Sequence, residues 1–463
     1  MLFALIHPVP QPDAVGLGLI AVVQTARAAG WQAHLYQRDD PIPRRPDLIG
    51  FSLYTPLRFP GLPAWLRRHD LAPRAADRPP TDPLVIAGGP AVASPGPILP
   101  FVDALVMGDA EVTLPAILRA VETSPASAKK GAALDRIAAL PAVYVPGRST
   151  RPARWLTTPH AAAVRQGSRI LAARGCRYSC PFCQVSPLHA PYRPVPHADL
   201  VHAINAVDGR VSLSAAAISH HPHVLDLLAL LADQNRYLNS VNVCHRDLAP
   251  DLIQALAHVS GRIGFGVEGV SARLRRAAGK PISDRALETL LLELLRRFGV
   301  VGIYVIVGLP GETEADQDDL LALLHRVLDR RDYCWNGGHP GRLQITSTPF
   351  QALPHTRWER EPAPPGHLIT RWRAEMRRMR ERYEYFFAQN VKTPPSADVV
   401  FGLHRAGPEW APVIEQLGAT RRRSTWSAWR RGKFLRLAQE RGLTLDLDRL
   451  TGPLPWADYC ATP

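Results

Sequence analysis

The chain has 463 residues, of which 46% are hydrophobic, and its 55 lysines and arginines exceed its 41 aspartates and glutamates to give a net charge of +14. This length is enough for two or three domains with sizeable cores. No apolar run approaches the roughly 20 residues of a membrane-spanning helix, so we expect no membrane span. The positive charge favours an anionic partner, which could be a substrate, an acidic peptide or nucleic acid.

Residues 1–122 alternate short apolar runs with helical segments. Residues 14–29 have a helical pattern that ends at Gly30. Strands that alternate with helices predict an α/β fold, here a Rossmann-like doubly wound parallel sheet that binds ligands at the carboxyl ends of its strands. The predicted strands are residues 2–6, 32–36, 47–54, 83–87 and 104–107.

The rest of the chain divides into three parts. Residues 123–165 contain a small, polar stretch and are interpreted as a linker. Residues 166–355 alternate again and predict a partial (β/α)6 barrel with its chemistry at the carboxyl ends of the strands. Residues 356–463 are predicted to form a helical, basic C-terminal region. The six barrel strands are predicted at residues 169–172, 211–214, 240–243, 262–269, 301–308 and 343–345.

Cys176, Cys180 and Cys183 form a CxxxCxxC run directly after the first barrel strand. Three thiolates on one short loop can hold three irons of a 4Fe–4S cluster and leave the fourth iron open. The alternative is a zinc site with His189 as fourth ligand, but structural zinc sites usually pair two CxxC-like halves and no second half is present. One cysteine cluster in a chain with six cysteines indicates metal binding in a reducing compartment, which predicts a cytoplasmic location.

Two other sets of metal-ligating residue types are interpreted as structural. The run Ser219-His220-His221-Pro222-His223 resembles a metal box, but it lies at a predicted helix start, where Ser219 would cap the helix and Pro222 would occupy its first turn. Three scattered cysteines lack a ligand spacing and are interpreted as core or incidental residues. They are Cys244, Cys334 and Cys460.

The C-terminal region contains one long predicted helix, residues 368–387, and a segment that mixes cations with tryptophans. The apolar residues of the helix recur at helical spacing and predict core packing. The mixed segment is either a contact surface for nucleic acid or a peptide, or a solvated helix face, which is the favoured interpretation. It comprises Arg421, Arg422, Arg423, Trp426, Trp429, Arg430, Arg431 and Lys433.

The stretch from Ser168 to Cys183, with Arg174-Gly175 before the first cysteine and Phe182 before the third, resembles the signature of the radical S-adenosylmethionine (SAM) superfamily. Residues 265–269 and 304–313 resemble later turns of that superfamily. The resemblance implies that the three cysteines bind a 4Fe–4S cluster and that SAM chelates its open iron. Glu268 is implied either as a ligand of the SAM ribose or amino group or as a salt-bridged barrel carboxylate. The other implied SAM contacts are Phe182, Ile306 and Val307 near the adenine, and Ser212 and Ser214 near the amino group.

Residues 1–122 resemble the cobalamin-binding domain that precedes many radical SAM domains. The segment 102–111 carries Gly-Asp-Ala-Glu where relatives usually have Gly-Glu-Gly-Glu, and the chain lacks the Asp-x-His-x-x-Gly motif that supplies a histidine to cobalt. The resemblance therefore implies cobalamin without a histidine ligand, with Tyr54 or Leu57 beneath the corrin, or a degenerate domain that holds no cobalamin. The implied cobalamin contacts are Ser52, Tyr54, Thr55, Gly88, Gly89, Pro90, Gly108 and Glu111.

The function implied by this combined resemblance is reductive cleavage of SAM in a cobalamin-dependent methyltransferase that acts on an unactivated carbon. The alternatives are a radical SAM enzyme that catalyses rearrangement, oxidation or ring formation, and a cofactor-sensing regulator that binds nucleic acid. The expected partners are a small-molecule or peptide substrate and an external electron donor such as flavodoxin or ferredoxin. Nucleic acid is a less favoured partner.

Overall fold

A computed structural model describes residues 1–8, 16–42, 44–125, 129–330, 341–389, 397–418 and 428–461. The chain forms two compact units. Unit 1 comprises the described residues within Met1–Thr158, Leu353–His355 and Pro394–Pro463, and unit 2 comprises those within Pro159–Ala352 and Thr356–Thr393. The predicted C-terminal region is therefore divided between the two units. Among the described residues, no helix is both long and apolar enough to cross a membrane.

A six-stranded sheet forms the centre of unit 1. Its strands are β1 (Leu2–His7), β2 (Gln32–Gln37), β3 (Leu48–Ser52), β4 (Leu84–Gly88), β5 (Ala104–Val106) and β6 (Val143–Tyr144). Their spatial order is β2-β1-β3-β4-β5-β6, in which the first five are parallel and β6 is antiparallel to β5. This order confirms the doubly wound sheet and places its switch point, where such sheets bind ligands, between β1 and β3.

Four helices accompany this sheet in the first part of unit 1. They are α1 (Leu17–Ala28), α2 (Gly61–Arg68), α3 (Ala110–Glu122) and α4 (Lys129–Ala138). Helix α4 and strand β6 lie inside the segment interpreted as a linker, so that interpretation is wrong for residues 129–144. Small residues suggested flexibility there, but buried apolar side chains such as Ile137 and Val143 join the core of the sheet.

Unit 2 contains the six predicted barrel strands and four more. The strands are β7 (Arg165–Gln166), β8 (Arg169–Leu171), β9 (Ala173–Arg174), β10 (Arg193–Pro194), β11 (Ser212–Ser214), β12 (Val241–Val243), β13 (Arg262–Glu268), β14 (Val300–Val307), β15 (Arg342–Pro349) and β16 (Phe386–Gln389). Strands β12 to β16 form a parallel five-stranded sheet in chain order. Strand β11 pairs in parallel with β8, which pairs antiparallel with β7, and β9 pairs antiparallel with β10.

The helices of unit 2 mostly connect these strands. They are α5 (Val185–His189), α6 (His197–Asn205), α7 (Val224–Asp233), α8 (Pro250–Val259), α9 (Ala272–Ala277), α10 (Asp284–Arg297), α11 (Glu314–Asp329) and α12 (Gly366–Arg382). The stripe on α12 is buried, as predicted, at Trp372, Met376 and Met379. The predicted helix 368–387 ends earlier, at Arg382, because the chain then extends into β16 and pairs with β15.

The end of the chain completes unit 1 with helices α13 (Ala397–Leu403), α14 (Ala411–Gly418) and α15 (Ala428–Gln439). Their apolar residues join Ile49, Phe51 and Trp65 in one core cluster. The cation–tryptophan segment lies partly outside the described residues, at 421–423 and 426. In its described part, Arg431 pairs with Asp398 and Trp429 is exposed, which fits a solvated face on α15.

Candidate functional site

The cysteine loop begins where the backbone of β9 ends. Gly175 has a φ of +74°, and a Cβ there would lie 2.5 Å from the carbonyl oxygen of His189 and 2.9 Å from that of Pro191. Only glycine tolerates both constraints, so the glycine before Cys176 lets the chain turn tightly against residues 189–191. Within the loop, the Cys183 amide donates to the Cys180 carbonyl over 3.1 Å.

Two of the loop thiols, those of Cys180 and Cys183, have raised pKa values. Burial raises the pKa of Cys180 to about 11, with the neighbouring Lys280 opposing the shift and Cys183, Glu268 and Cys176 adding to it. Burial also raises the pKa of Cys183. Thiols in such surroundings stay protonated until a cation supplies the missing charge, as iron does when thiolates bind it. The Tyr178 amide donates to Cys176 Sγ at 3.5 Å, a contact that also suits a cluster ligand.

A segment after β15 is hydrogen-bonded to the cysteine loop. The Trp358 amide donates to the Pro181 carbonyl over 3.1 Å, and the Arg357 guanidinium donates to the Ser179 carbonyl over 2.8 Å. The rings of Phe182 and Trp358 lie 6.4 Å apart in a tilted arrangement. Phe182 is therefore held beside an indole, and its predicted contact with adenine stays a prediction.

Glu268 ends β13 in an unusual conformation beside the cluster cysteines. Its φ is +60°, and the register between β13 and β14 shifts at this point. Its carboxylate lies over Gly266, where an added Cβ would lie 1.8 Å from Oε1. Burial raises the pKa of Glu268 to about 7, with Lys280 opposing the shift. A strained, half-buried carboxylate near the thiols of Cys180 and Cys183 is typical of a functional position, and the predicted contact of Glu268 with SAM stays a prediction.

The remaining predicted SAM contacts differ in their surroundings. Ile306 and Val307 are adjacent on β14, so their side chains point to opposite faces of the sheet. Only one of them can therefore contact an adenine bound on one face. Ile306 is half-buried, whereas Val307 is buried. Ser212 Oγ accepts from Asn239 Nδ2 at 2.7 Å, and the Ser214 carbonyl accepts from the Ala172 amide. Both serines thus form hydrogen bonds to neighbouring segments of unit 2.

The face of the five-stranded sheet that carries Tyr304 is open and polar. Tyr304 Oη donates to Asn242 Oδ1 at 3.1 Å, and this bond crosses over Gly264, where a Cβ would lie 3.1 Å from Asn242 Oδ1 and 3.3 Å from Tyr304 Oη. Tyr304 and Asn242 are both exposed. This pair was not predicted from the sequence, although a tyrosine between apolar residues of a parallel strand could have indicated it.

Two predicted cobalamin-contacting glycines serve the chain's own backbone. Gly89 has a φ of +100°, and a Cβ there would lie 2.7 Å from the Leu53 carbonyl oxygen. Gly108 has a φ of +92°, and a Cβ there would lie 1.8 Å from the Leu156 carbonyl oxygen. The structure therefore accounts for both glycines without a ligand, because the backbone of Leu53 approaches Gly89 and the backbone of Leu156 approaches Gly108.

The other predicted residues of this edge are more open. Tyr54 follows β3 with 70% of its surface exposed, and Thr55 Oγ1 accepts from the Leu57 amide at the start of a short 3-10 helix. Leu57 packs against the core of unit 1. Each of the following is half-buried: Ser52, Gly88, Pro90 and Glu111.

A half-buried cation at the same edge, Arg58, was not predicted from the sequence. Arg58 Nη1 lies 2.6 Å from Nε2 of His7, the last residue of β1, and its guanidinium lies 5.9 Å from the centre of the Tyr54 ring. Burial lowers the pKa of Arg58. His7 ends β1 and Tyr54 follows β3, so the three side chains flank the switch point of the sheet. A polar edge with one exposed aromatic ring is compatible with a large planar cofactor such as cobalamin.

The predicted capping role of Ser219 is wrong. Residues Ile218–His220 form a separate 3-10 turn, and α7 begins later with His223 as its N-cap and no side-chain cap. Ser219 Oγ instead donates to Asp247 Oδ2 at 2.8 Å and accepts from the Cys244 amide at 3.0 Å. The serine therefore connects the turn after β11 to the turn after β12.

Two family models match the chain. The model described as radical SAM proteins, N-terminal, matches residues 23–146, and the model described as the radical SAM superfamily matches residues 170–324. The second match contains all three loop cysteines and Glu268.

Matches to curated proteins are partial. The uncharacterized protein MJ0966 of Methanocaldococcus jannaschii is 26% identical over 196 residues, which are 41% of each chain. The ribosomal protein uS12 methylthiotransferase RimO of Anaeromyxobacter sp. strain K is 32% identical over 169 residues, covering 32% of this chain and 36% of that protein. The chain thus spans less than half the length of the curated relatives it matches.

Two solved structures of one enzyme match over nearly the whole chain. The radical SAM methyltransferase TsrM of Kitasatospora setae, solved with its tryptophan substrate and a SAM analogue, covers 95% of this chain and 99% of its own at a TM-score of 0.59 and 15% identity. The same enzyme solved with cobalamin and a [4Fe-4S] cluster gives a TM-score of 0.57. At this identity the likeness concerns the fold. The two radical SAM models together match more than half of the chain, and the second contains the CxxxCxxC loop of half-buried thiols, so the chain belongs to the radical SAM superfamily, with a 4Fe–4S cluster and SAM as its cofactors.

Proposed function

We propose that the chain is a cobalamin-dependent radical SAM methyltransferase that transfers a methyl group to an unactivated carbon of a small molecule or peptide. One observation carries this proposal. A cysteine loop suited to the cluster lies in one unit, and a doubly wound sheet with an exposed Tyr54 at its switch point forms the other. The fold match to TsrM, which covers both units, supports the combination.

In unit 2, the chain would hold the cluster and position SAM. Cys176, Cys180 and Cys183 would bind three irons, while Glu268 would accept hydrogen bonds from the SAM amino group. The bound cofactors supply a reducing electron, the adenosyl group of SAM, and, with cobalamin, a methyl carrier. The protein's part is to place these groups near the substrate and to exclude water.

In unit 1, the sheet would bind the corrin at the switch point. Tyr54 would offer an aromatic face, and the half-buried Arg58, held beside His7, would offer a fixed positive charge close to it. The half-buried residues Ser52 and Glu111 remain candidate polar contacts. Gly89 and Gly108 would shape the edge without touching the cofactor.

The substrate would contact the open face of the five-stranded sheet. Tyr304 and Asn242 present a hydroxyl and an amide on that face, where their hydrogen bond lies over Gly264. A small molecule or a peptide side chain with a hydrogen-bonding atom would suit this pair. The electron would come from an external donor protein such as flavodoxin or ferredoxin.

The proposal is tested by anaerobic reconstitution with iron, sulfide and hydroxocobalamin, followed by desalting and measurement of iron and corrin. We expect one 4Fe–4S cluster and one corrin per chain in the wild-type protein. A matched variant, Tyr54→Ala, should retain the cluster and lose corrin affinity. Retention of the cluster with no corrin in the wild-type protein would contradict cobalamin dependence. It would favour a radical SAM enzyme that catalyses rearrangement, oxidation or ring formation.

A further inference from the structure

Three metal-ligating side chains converge in unit 2 outside the predicted cluster ligands. They are His220, Cys244 and Asp247, and their ligand atoms all lie within 4.8 Å of one another. His220 ends the 3-10 turn after β11, while Cys244 precedes and Asp247 ends the 3-10 turn after β12. Since both turns follow strand ends, the backbone of the barrel fixes the spacing of the three groups.

The surroundings of Asp247 orient its carboxylate. Tyr178 Oη donates to Asp247 Oδ1 at 3.0 Å, and Ser219 Oγ donates to Asp247 Oδ2 at 2.8 Å. The Cys244 amide donates to the same serine hydroxyl. Hydrogen bonds of this kind typically hold the carboxylate ligands of metal sites in place, and each oxygen retains a free lone pair.

The surroundings of His220 provide an independent observation that favours a metal site. Its side chain is 1% exposed, and its Nε2 atom is buried without a hydrogen bond. That atom lies 3.3 Å from Asp247 Oδ2. Buried ring nitrogens are nearly always hydrogen-bonded, so one that lacks a hydrogen bond, although it lies beside a carboxylate, points to a bound ligand. Neighbouring histidines differ, since His221 bonds the Val195 carbonyl and His223 is exposed beside Asp226.

We propose that His220 Nε2, Cys244 Sγ and one Asp247 oxygen bind a zinc ion. Imidazole, thiolate and carboxylate together suit zinc, whereas magnesium and calcium prefer oxygen ligands alone. Cys244 would bind as the thiolate, and its proton would pass to solvent. Three protein ligands leave a fourth tetrahedral position for water or another small ligand, as in catalytic zinc sites.

The zinc site would also touch the cluster loop through the same imidazole. His220 Nδ1 lies 3.9 Å from Cys176 Sγ. A metal on Nε2 requires the ring hydrogen to be on Nδ1, where it faces that sulfur. Zinc would therefore fix the tautomer of a side chain that neighbours a cluster ligand.

The test separates this zinc from any metal in the cysteine loop. In the full-length chain, Cys176, Cys180 and Cys183 are all replaced by alanine, and the purified protein is analysed for metals by mass spectrometry. We expect one zinc per chain in this background and a loss to less than about a tenth of that when Cys244→Ser is added. The matched controls Cys460→Ser and His223→Ala should keep the zinc.

A second measurement covers the case in which Cys244→Ser fails to fold. Cobalt(II) alone is titrated into the cysteine-loop variant, and we expect an intense thiolate-to-cobalt absorption band. Asp247→Asn should weaken cobalt binding by at least about tenfold. Absence of zinc from the cysteine-loop variant, or a cobalt complex without the thiolate band, would overturn the proposal. Neither result depends on the methyltransferase proposal, because neither assay requires the cluster, SAM or cobalamin.

Discussion

Gly108→Ala tests whether this glycine serves the protein's own backbone. The φ of +92° would cost an alanine about 1–2 kcal/mol. The new Cβ would also lie 1.8 Å from the Leu156 carbonyl oxygen and 2.6 Å from its amide nitrogen. Relief of that overlap adds about 1–3 kcal/mol and disturbs the hydrogen bond from the Asp109 amide to Leu156. We therefore expect a loss of about 2–5 kcal/mol in the free energy of unfolding.

Gly147→Ala is the matched control in the same unit. Gly147 has a φ of +73°, and nothing lies within 4 Å of its added Cβ. Its substitution should cost only about 1–2 kcal/mol, all from backbone strain. Urea unfolding followed by tryptophan fluorescence measures both variants. Equal losses for the two variants would refute the reasoning, because the contact with Leu156 would then contribute nothing.

Three further predictions follow from the structure. Cys183→Ser should abolish the visible absorption of the reconstituted cluster, since two thiolates do not retain it. Burial lowers the pKa of His404 to about 4, so the unfolded chain binds the extra proton first, and wild-type stability should fall by about 3 kcal/mol as pH drops from 6.5 to 4. His404→Gln should remove that slope in pH-dependent urea unfolding. Thr313→Ala removes the capping box of α11 and should cost about 1 kcal/mol in unfolding free energy, against little change for Thr289→Ala in α10.

The sequence predicted the strands well because buried parallel strands leave continuous apolar runs. All five predicted strands of the first sheet and all six predicted barrel strands are present, with ends that shift by a few residues. Strand β16 was missed since Phe386 and Phe387 also continued the pattern of the preceding helix. The sheet takes up this short segment through pairing with β15, a long-range interaction that periodicity cannot indicate.

The candidate site was predictable where a spacing carries the chemistry and not where the fold brings distant residues together. The three loop cysteines lie within eight residues of sequence, so their spacing was sufficient to predict the cluster-binding loop. Arg58 and His7 are 51 residues apart, and their contact depends on the order of β1 and β3 in the sheet. The role of Gly108 was ambiguous for a related reason. The sequence shows only a glycine, and it does not show whether a ligand or the Leu156 backbone occupies the space beside it.

Unit 1 is discontinuous in sequence, and this has a consequence for synthesis. The sheet emerges from the ribosome early, but its core also requires Leu403, Trp410 and Phe434, which are translated after the whole of unit 2. Until then, the apolar surface around Phe51 stays exposed and prone to aggregation. Isolated expression of residues 1–158 would make this state permanent. A soluble fragment for cofactor-binding studies should therefore join the first segment to residues 394–463.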